Sequence, residues 1–513
     1  MKSSHKRIGI VDIGSNSIRL AIYEVTEQEQ YRLINENKES ARLSEKINEN
    51  GVMNPKDILS IVPILREFQD ICNVYHCSDI IVAATAAIRN AANAEEIVST
   101  LYSHTGLKVT ILSGEEEAYF GYLGVVAGME IEDGFIIDIG GGSSEITLFL
   151  NRKLVSSVSL PIGAVNTQVT YGGADDWSEQ NIAGLRKRIE ELVSGHDWIK
   201  AHPGLTLIGL GGTIRALGKL DQRRSKYPMR VAHQYSLENE YIEYFAQLLP
   251  SMPLEKRKRL DGLSKTRADI IVPGLLILQA IIKATGAAKC VVSGTGLREG
   301  LLLNAIGAKL PAINEVVCQQ VDALLSFHST VDSDHLVRVR QYADDLCKVM
   351  GVSASDDGED CKKLVHVAAM LYKIGSGIRY HQYDKHSLYW MTNAPIGGLT
   401  HRESILSAYI ADYRSSNGKR LNVGEYRSLL KDSDVKLIQQ LGSLLQVAVA
   451  LDSSETGAIE AAEAELDRGA LLLKLKCRSQ ACLELRQLEA AAKNFKKVWD
   501  VRLEWENSPS SKR

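Results

Sequence analysis

Asp12, Gly14, Ser15, Asn16 and Ser17 stand together in IGIVDIGSNSIRLAIYEV, from Ile8 to Val25. Asp138, Gly140, Gly141, Gly142, Ser143, Ser144 and Glu145 stand together in GFIIDIGGGSSEITLFL, from Gly134 to Leu150. Both groups place Asp before a glycine-containing turn and hydroxyls after it. Glycine at such a turn lets successive backbone N–H groups converge on one anion, and the Ser and Asn side chains add donors. Asp12, Asp138 and Glu145 are hard oxygen ligands suited to Mg²⁺ shared with phosphate oxygens. One copy of this pattern would read equally well as an ordinary hairpin. Two copies point to a phosphate chain gripped from both sides of a cleft.

The elements that must carry these residues follow from the flanking residues. Each motif is two β-rich apolar runs around a tight turn, a hairpin. DIIVAATAAIRNA (Asp79 to Ala91) reads as a strand entering a helix, and VTILSGEEEAYFGYLGV (Val109 to Val125) as a strand and a helix opening with three glutamates. LTLIGLGGTIRALGKL (Leu205 to Leu220) and KCVVSGTGLREGLLL (Lys289 to Leu303) repeat the strand–Gly turn–helix order. Such alternation predicts α/β domains. Leu33 to Gly51 reads as polar and mixed, and Pro55 to Cys72 as one helix. Helical periodicity dominates from Ile313 to Leu451. From Ala470 onward LLLKLKC, a helical stretch and DVRLEWE read as a small α+β unit. The expected divisions are 1–122, 123–308, 309–452 and 453–513.

The chain of 513 residues can hold several cores. A net charge of −3 gives no support for wholesale nucleic-acid binding, so a polyanion must be caught by a local patch. The eight cysteines contain no CxxC pair, which argues against a zinc site or disulfide framework and for reduced thiols. MKSSHKR runs directly into a strand without a signal-peptide core, and IIVPGLLILQAII is too short to span a bilayer. A cytoplasmic protein without membrane or nucleic-acid partners is expected. The run Lys256-Arg257-Lys258-Arg259 reads as a solvated helix face.

VDIGSNSIRL, ATAAIRNA, SGEEEA, DIGGGSSE, GLGGT and SGTGLREG occur in an order that resembles the exopolyphosphatase/guanosine pentaphosphatase (Ppx/GppA) family. The resemblance implies duplicated ribonuclease-H-like domains of the actin, sugar-kinase and Hsp70 ATPase type, with a cleft between them. It implies hydrolysis of the terminal phosphate of inorganic polyphosphate with Mg²⁺, or of the 5′-γ-phosphate of guanosine pentaphosphate (pppGpp). By motif, Glu117 matches the catalytic base and Arg89 a phosphate-binding arginine, while Asp138 and Glu145 match the acidic pair near the metal. A carboxylate within reach of water can orient and deprotonate it, and an arginine can clamp phosphate oxygens. Glu115 and Glu116 read as helix-dipole partners or as groups that support the site from behind. The GGT turn at Gly211 to Thr213 reads as closing the cleft, and Arg267 and Asp269 as structural. A homodimer is implied by resemblance alone. An alarmone-binding regulator without turnover (ppGpp or pppGpp) and a kinase or ATPase are the rivals.

The helical region resembles an HD-type phosphohydrolase domain that has lost its metal ligands. His335 fits the first ligand, Tyr372 and Lys373 replace a His-Asp pair, and Val449 stands where a ligand Asp belongs. Neither a phenol, an ammonium nor a hydrocarbon replaces those donors, so no metal and no catalysis are expected there. Lys373, Lys385, His386 and Arg414 are candidates for tracking a long polyphosphate, with Arg402, Lys419 and Arg420 behind them.

Overall fold

The computed structural model describes residues 5–173, 177–352, 360–414, 423–478 and 481–509. The chain divides into two compact units, Met1–Val316 and Val317–Arg513.

The first unit holds two sheets with one topology. The first sheet has strands β1 (Lys6–Ile13), β2 (Ser17–Val25), β3 (Tyr31–Ser40), β4 (Asp79–Ala84) and β5 (Val109–Ile111), in the order β3-β2-β1-β4-β5. The second has β6 (Gly134–Ile139), β7 (Ser144–Leu150), β8 (Lys153–Leu160), β9 (Leu207–Leu210), β10 (Ser236–Leu237) and β11 (Cys290–Val292), in the order β10-β11-β9-β6-β7-β8. In each, the first three strands form an antiparallel meander, and two parallel strands, β4 and β5 or β9 and β11, join beside the first; the second sheet adds β10 as an antiparallel edge on β11. This is the ribonuclease-H-like order of actin-like ATPase folds, made twice.

Both faces of each sheet are covered, so the hairpin strands are nearly continuous apolar runs. In the first sheet Val11, Ile13, Leu20 and Ile22 pack with Leu65 and Phe68, while Ile8, Ile10 and Tyr23 on the other face pack with Leu301 and Leu302. In the second, Phe135 and Ile137 meet the apolar helix Ile271–Thr285, and Ile136 meets the helix Gly114–Gly128. The helices Gly114–Gly128 and Leu297–Ile306 cross backbone to backbone. A Cβ on Gly300 would strike the Phe120 carbonyl, and one on Gly124 would strike the backbone of Gly296.

Three local expectations are corrected. The polar stretch after the first hairpin contains the edge strand β3, whose outward side chains are polar because that edge meets solvent. The helix expected over Pro55 to Cys72 is two, Pro55–Leu59 and Val62–Val74, broken at Ser60–Ile61 with Pro63 in the first turn of the second. Arg257 is buried within its basic run, so that run is not a wholly solvated face.

The second unit is helical from Val316–His328 to Asp434–Ala450. It closes with β12 (Ile459–Asp467), β13 (Ala470–Cys477), the helix Cys482–Trp499 and β14 (Arg502–Pro509), in sheet order β12-β13-β14 with β13 and β14 parallel. Strand β12 was not legible in the sequence. No helix among the described residues is long and apolar enough to cross a membrane.

Candidate active site

The two glycine turns are built alike. Gly14 N–H donates to Ser17 O at 3.1 Å, and Gly140 N–H to Ser143 O at 3.0 Å. They also meet. A Cβ on Gly141 would lie 2.8 Å from Ser15 Cβ and 3.1 Å from Asn16 N. A Cβ on Gly142 would lie 2.9 Å from Ser15 Oγ. Only glycine allows this approach of two backbones.

The cleft beside the turns is lined by Asp12, Gly14, Ser15, Asn16, Ser17, Gly140, Gly141, Ser143, Asp138 and Glu117. Gly142, Ser144, Glu145 and Arg89 are not among the lining residues. Ser144 is corrected as a phosphate donor: its hydroxyl is fully buried and donates to Ile162 O at 2.7 Å. Ser143 donates to Glu145 Oε1 at 2.6 Å, and Ser159 donates to the same oxygen at 2.8 Å. Arg89 donates through Nη1 to Glu117 Oε2 at 2.7 Å and to Leu112 O at 2.9 Å. Its Nη2 lies 3.9 Å from Glu145 Oε1.

Glu117 stands in the first turn of the helix Gly114–Gly128, whose N-terminus is closed by a Ser113–Glu116 capping box. Glu116 is therefore a capping residue, and Glu117 is the glutamate that turns to the cleft. Burial, then the charge of Glu145, raises the Glu117 carboxyl well above the usual range, against the pull of Arg89. Burial and Asp138 raise Glu145 likewise. Burial pushes Asp138 up to about 6, with Arg215 opposing and Asp12 reinforcing. Asp12 is raised by burial.

This crowding tests the fit of a cation. Asp12 Oδ1 and Glu145 Oε2 are buried with no hydrogen-bond partner, and Asp138 pairs with Glu145 across the β6–β7 ladder. A divalent cation would relieve their mutual repulsion. Among the described residues no three His, Cys, Asp or Glu side chains form a ready-made metal cage. Mg²⁺ takes one or two protein carboxylates and completes its shell with water and phosphate oxygens. The unpartnered oxygens of Asp12 and Glu145 are the donors such an ion could use, with Asp138 beside them.

Three arginines that the sequence did not assign to the site, and Arg267, which it assigned a structural part, occupy the rest of the cleft. Arg19, Arg215, Arg267 and Arg298 all line it. Burial, then Arg19 and Arg215, depresses Arg267 to about 10. Lys38 falls to about 8 through burial and the charges of Arg267, Arg19 and Arg215. Burial first, and the crowding of cations second, are the strains that a bound anion would relieve. A Cβ on Gly212 would collide with the Arg267 guanidinium, so the GGT turn serves as a seat for that arginine. The available signal was position: Arg19, Arg215 and Arg298 each follow closely on a Gly-containing motif that was already singled out.

In the second unit two of the positions that resemble HD metal ligands, His335 and Tyr372, are occupied by side chains that pair with one another. His335 is buried; Nδ1–H donates to Asp452 Oδ2 at 2.8 Å, and Nε2 accepts from Tyr372 Oη at 2.6 Å. Asp452, an acceptor only, fixes this tautomer. Arg338 Nε donates to Asp452 at 2.8 Å. Lys373 is corrected as a polyphosphate contact: it is 5 % exposed and ion-paired with Glu455. Arg402 is paired with Asp434. Lys385 is exposed, His386 and Arg414 are half-buried, and Lys419 and Arg420 lie outside the described residues.

The chain is similar to known proteins over most of its length. The model of the Ppx/GppA phosphatase family matches residues 21–308, and that of Ppx/GppA phosphatase, domain III, matches 319–494. The chain is 27 % identical over 399 residues to a guanosine-5′-triphosphate,3′-diphosphate pyrophosphatase of Pseudoalteromonas atlantica, covering 76 % of each chain. It is 26 % identical over 315 residues to exopolyphosphatase 1 of Mycobacterium tuberculosis, covering 59 % of this chain and 89 % of the other. A crystal structure of the Aquifex aeolicus Ppx/GppA family member superposes with a TM-score of 0.51 at 28 % identity, over 59 % of this chain and 97 % of that one.

Proposed function

The chain belongs to the Ppx/GppA phosphatase family, and from that premise we propose that it is an exopolyphosphatase releasing orthophosphate from the end of inorganic polyphosphate. The terminal phosphate lies against Gly14–Ser17 and Gly140–Ser143, held by backbone N–H groups and the hydroxyls of Ser15 and Ser17. Glu117 accepts a proton from water as its oxygen attacks the terminal phosphorus. The bridging P–O bond breaks, and the shortened chain leaves with its charge spread over its oxygens. Arg89 holds Glu117 toward the cleft and passes to a phosphate oxygen when substrate displaces it. Asp12, Asp138 and Glu145 would hold Mg²⁺, which supplies neutralisation of the phosphate oxygens when bound.

The observation that carries this reading is a carboxylate raised by burial and tied to an arginine at the edge of a cleft that two glycine turns line. A raised carboxyl is a stronger base once ionised. The cations Arg19, Arg215, Arg267 and Lys38 extend the positive field beyond one phosphate, which suits a chain of charges.

A second reading, the 5′-phosphohydrolase of pppGpp, is favoured by one observation. The Pseudoalteromonas pyrophosphatase aligns over 76 % of this chain, against 59 % for the mycobacterial exopolyphosphatase. Orthophosphate release from long-chain polyphosphate and from pppGpp, measured in parallel with Mg²⁺, tests the proposal. Faster turnover of pppGpp would replace the first reading by the second. Release from neither would return the chain to an alarmone-binding role. Within the second unit, Lys385, His386 and Arg414 remain the cations we propose as polyphosphate contacts.

A further inference from the structure

Arg42 and Asp269 are used by none of the steps above, yet they tie the two walls of the cleft together. Arg42 Nη2 lies 2.7 Å from Asp269 Oδ2, with the side chains 34 % and 24 % exposed. Arg42 adopts a left-handed backbone, φ 45° and ψ 47°, a conformation that a residue with a Cβ holds only when its surroundings impose it. Those surroundings are the first phosphate turn. Ala41 N–H and Arg42 N–H both donate to Asn16 O, at 3.2 and 3.0 Å, and Ser44 N–H donates to Ser15 O at 3.2 Å. Asp269 stands between Arg267 and Ile270, both of which line the cleft. Its second oxygen, Oδ1, is buried with no hydrogen-bond partner. Arg42 also donates through Nη1 to Glu45 at 3.0 Å.

We propose that Arg42 is a positioning residue that exchanges partners: it latches the first turn to Asp269 in the free protein and passes to a phosphate of the entering chain. The inference rests on the reading of the cleft as the site of phosphate-chain hydrolysis. Its logic is competition for one guanidinium. A phosphate oxygen offers Arg42 the same charge-assisted, planar contact as a carboxylate. A polyanion nearing the cleft repels Asp269 and attracts Arg42, so entry itself weakens the latch. Once released, Asp269 gains access to water for the oxygen that the latched state leaves unpaired. The turn carrying Ser15 and Asn16 then follows Arg42 onto the substrate. A fixed structural tie would make no such exchange.

The two ideas differ in the sign of one effect. Asp269→Asn keeps the shape but removes the competitor, leaving Arg42 to the substrate. Arg42→Ala removes the shared cation. Partner exchange requires KM for long-chain polyphosphate to fall about threefold or more in Asp269→Asn, with kcat within about twofold, and to rise by a similar factor in Arg42→Ala. Backbone deuterium uptake in residues 41–46 and 264–270 of the free protein should be faster in both variants. KM rising in both variants, or uptake unchanged in both, overturns the proposal. A wild-type protein that releases no phosphate from polyphosphate would count against the proposed function alone. The uptake comparison needs no substrate and still decides whether the latch exists.

Discussion

Arg89 Nη1 lies 2.7 Å from Glu117 Oε2, and the same guanidinium reaches toward Glu145 with Nη2 at 3.9 Å from Oε1. One cation thus stands between two buried carboxylates that would otherwise repel each other without relief. It lowers the cost of ionising Glu117 while leaving that cost high enough to keep the group basic.

This relationship sets an expected pH dependence. Glu117 must be ionised to accept a proton from water, and its carboxyl is raised by burial and Glu145. Activity should therefore fall as pH drops through a midpoint above the usual glutamate range of about 4.3. Arg89→Met removes the one group holding that value down, so the acidic limb of the kcat/KM profile should move to higher pH while the maximum rate falls. A limb that stays in place, or moves to lower pH, contradicts the assigned pairing.

Asp138 is expected to trade stability for function. Its carboxyl is raised to about 6 in the folded chain, above an unfolded value of about 3.9. The folded chain therefore binds this proton more tightly, a benefit fully present below the unfolded value and lost as pH rises through about 6. At pH 8 without divalent cation, Asp138→Asn should stabilise the protein by about 1–2 kcal/mol; assayed with Mg²⁺, it should remove most activity. Urea denaturation at pH 4.5 and pH 8 would measure this; the gain should shrink at the lower pH.

The helix crossing supplies a test with its own control. A Cβ on Gly300 would overlap the Phe120 carbonyl, whereas one on Gly121 would meet only Leu210 Cδ1 at 3.4 Å. Gly300→Ala should cost about 2–3 kcal/mol because two backbones must separate. Gly121→Ala should be near neutral or slightly stabilising, since alanine is the better helix former. Equal effects in thermal unfolding would contradict the backbone-to-backbone contact.

The buried polar cluster of the second unit should behave as structure. Asp452 accepts from His335, Arg338 and the Gly457 N–H. Asp452→Ala strands all three donors and should cost about 3–5 kcal/mol. Tyr372→Phe removes one hydrogen bond to His335 and should cost about 1 kcal/mol. Urea denaturation followed by far-ultraviolet circular dichroism would rank the two, and the opposite order would contradict the network described.

The two hairpins were legible in the sequence because each is covered on both faces and must be apolar throughout, with glycine where the backbones meet. Glu117 was legible only through its motif, since three consecutive glutamates look alike until the capping box takes Glu116. The convergence of the four arginines was not legible, and Arg267 was read only as structural, because Arg19, Arg215, Arg267 and Arg298 come together through folding across nearly three hundred residues of sequence. Ser144 and Lys373 misled for a related reason. A hydroxyl after a glycine turn can face either side of the sheet, and a lysine in a helical stretch can be buried if an acid such as Glu455 meets it. Strand β3 was hidden because an edge strand needs no apolar run.

The most direct test of the central claim is orthophosphate release from long-chain polyphosphate with Mg²⁺ by the wild-type protein and Glu117→Gln, alongside polyphosphate binding by both. The expected result is a loss of about a hundredfold or more in kcat with binding preserved. A Glu117→Gln protein that turns over polyphosphate at the wild-type rate would contradict the assignment of that carboxylate to water activation.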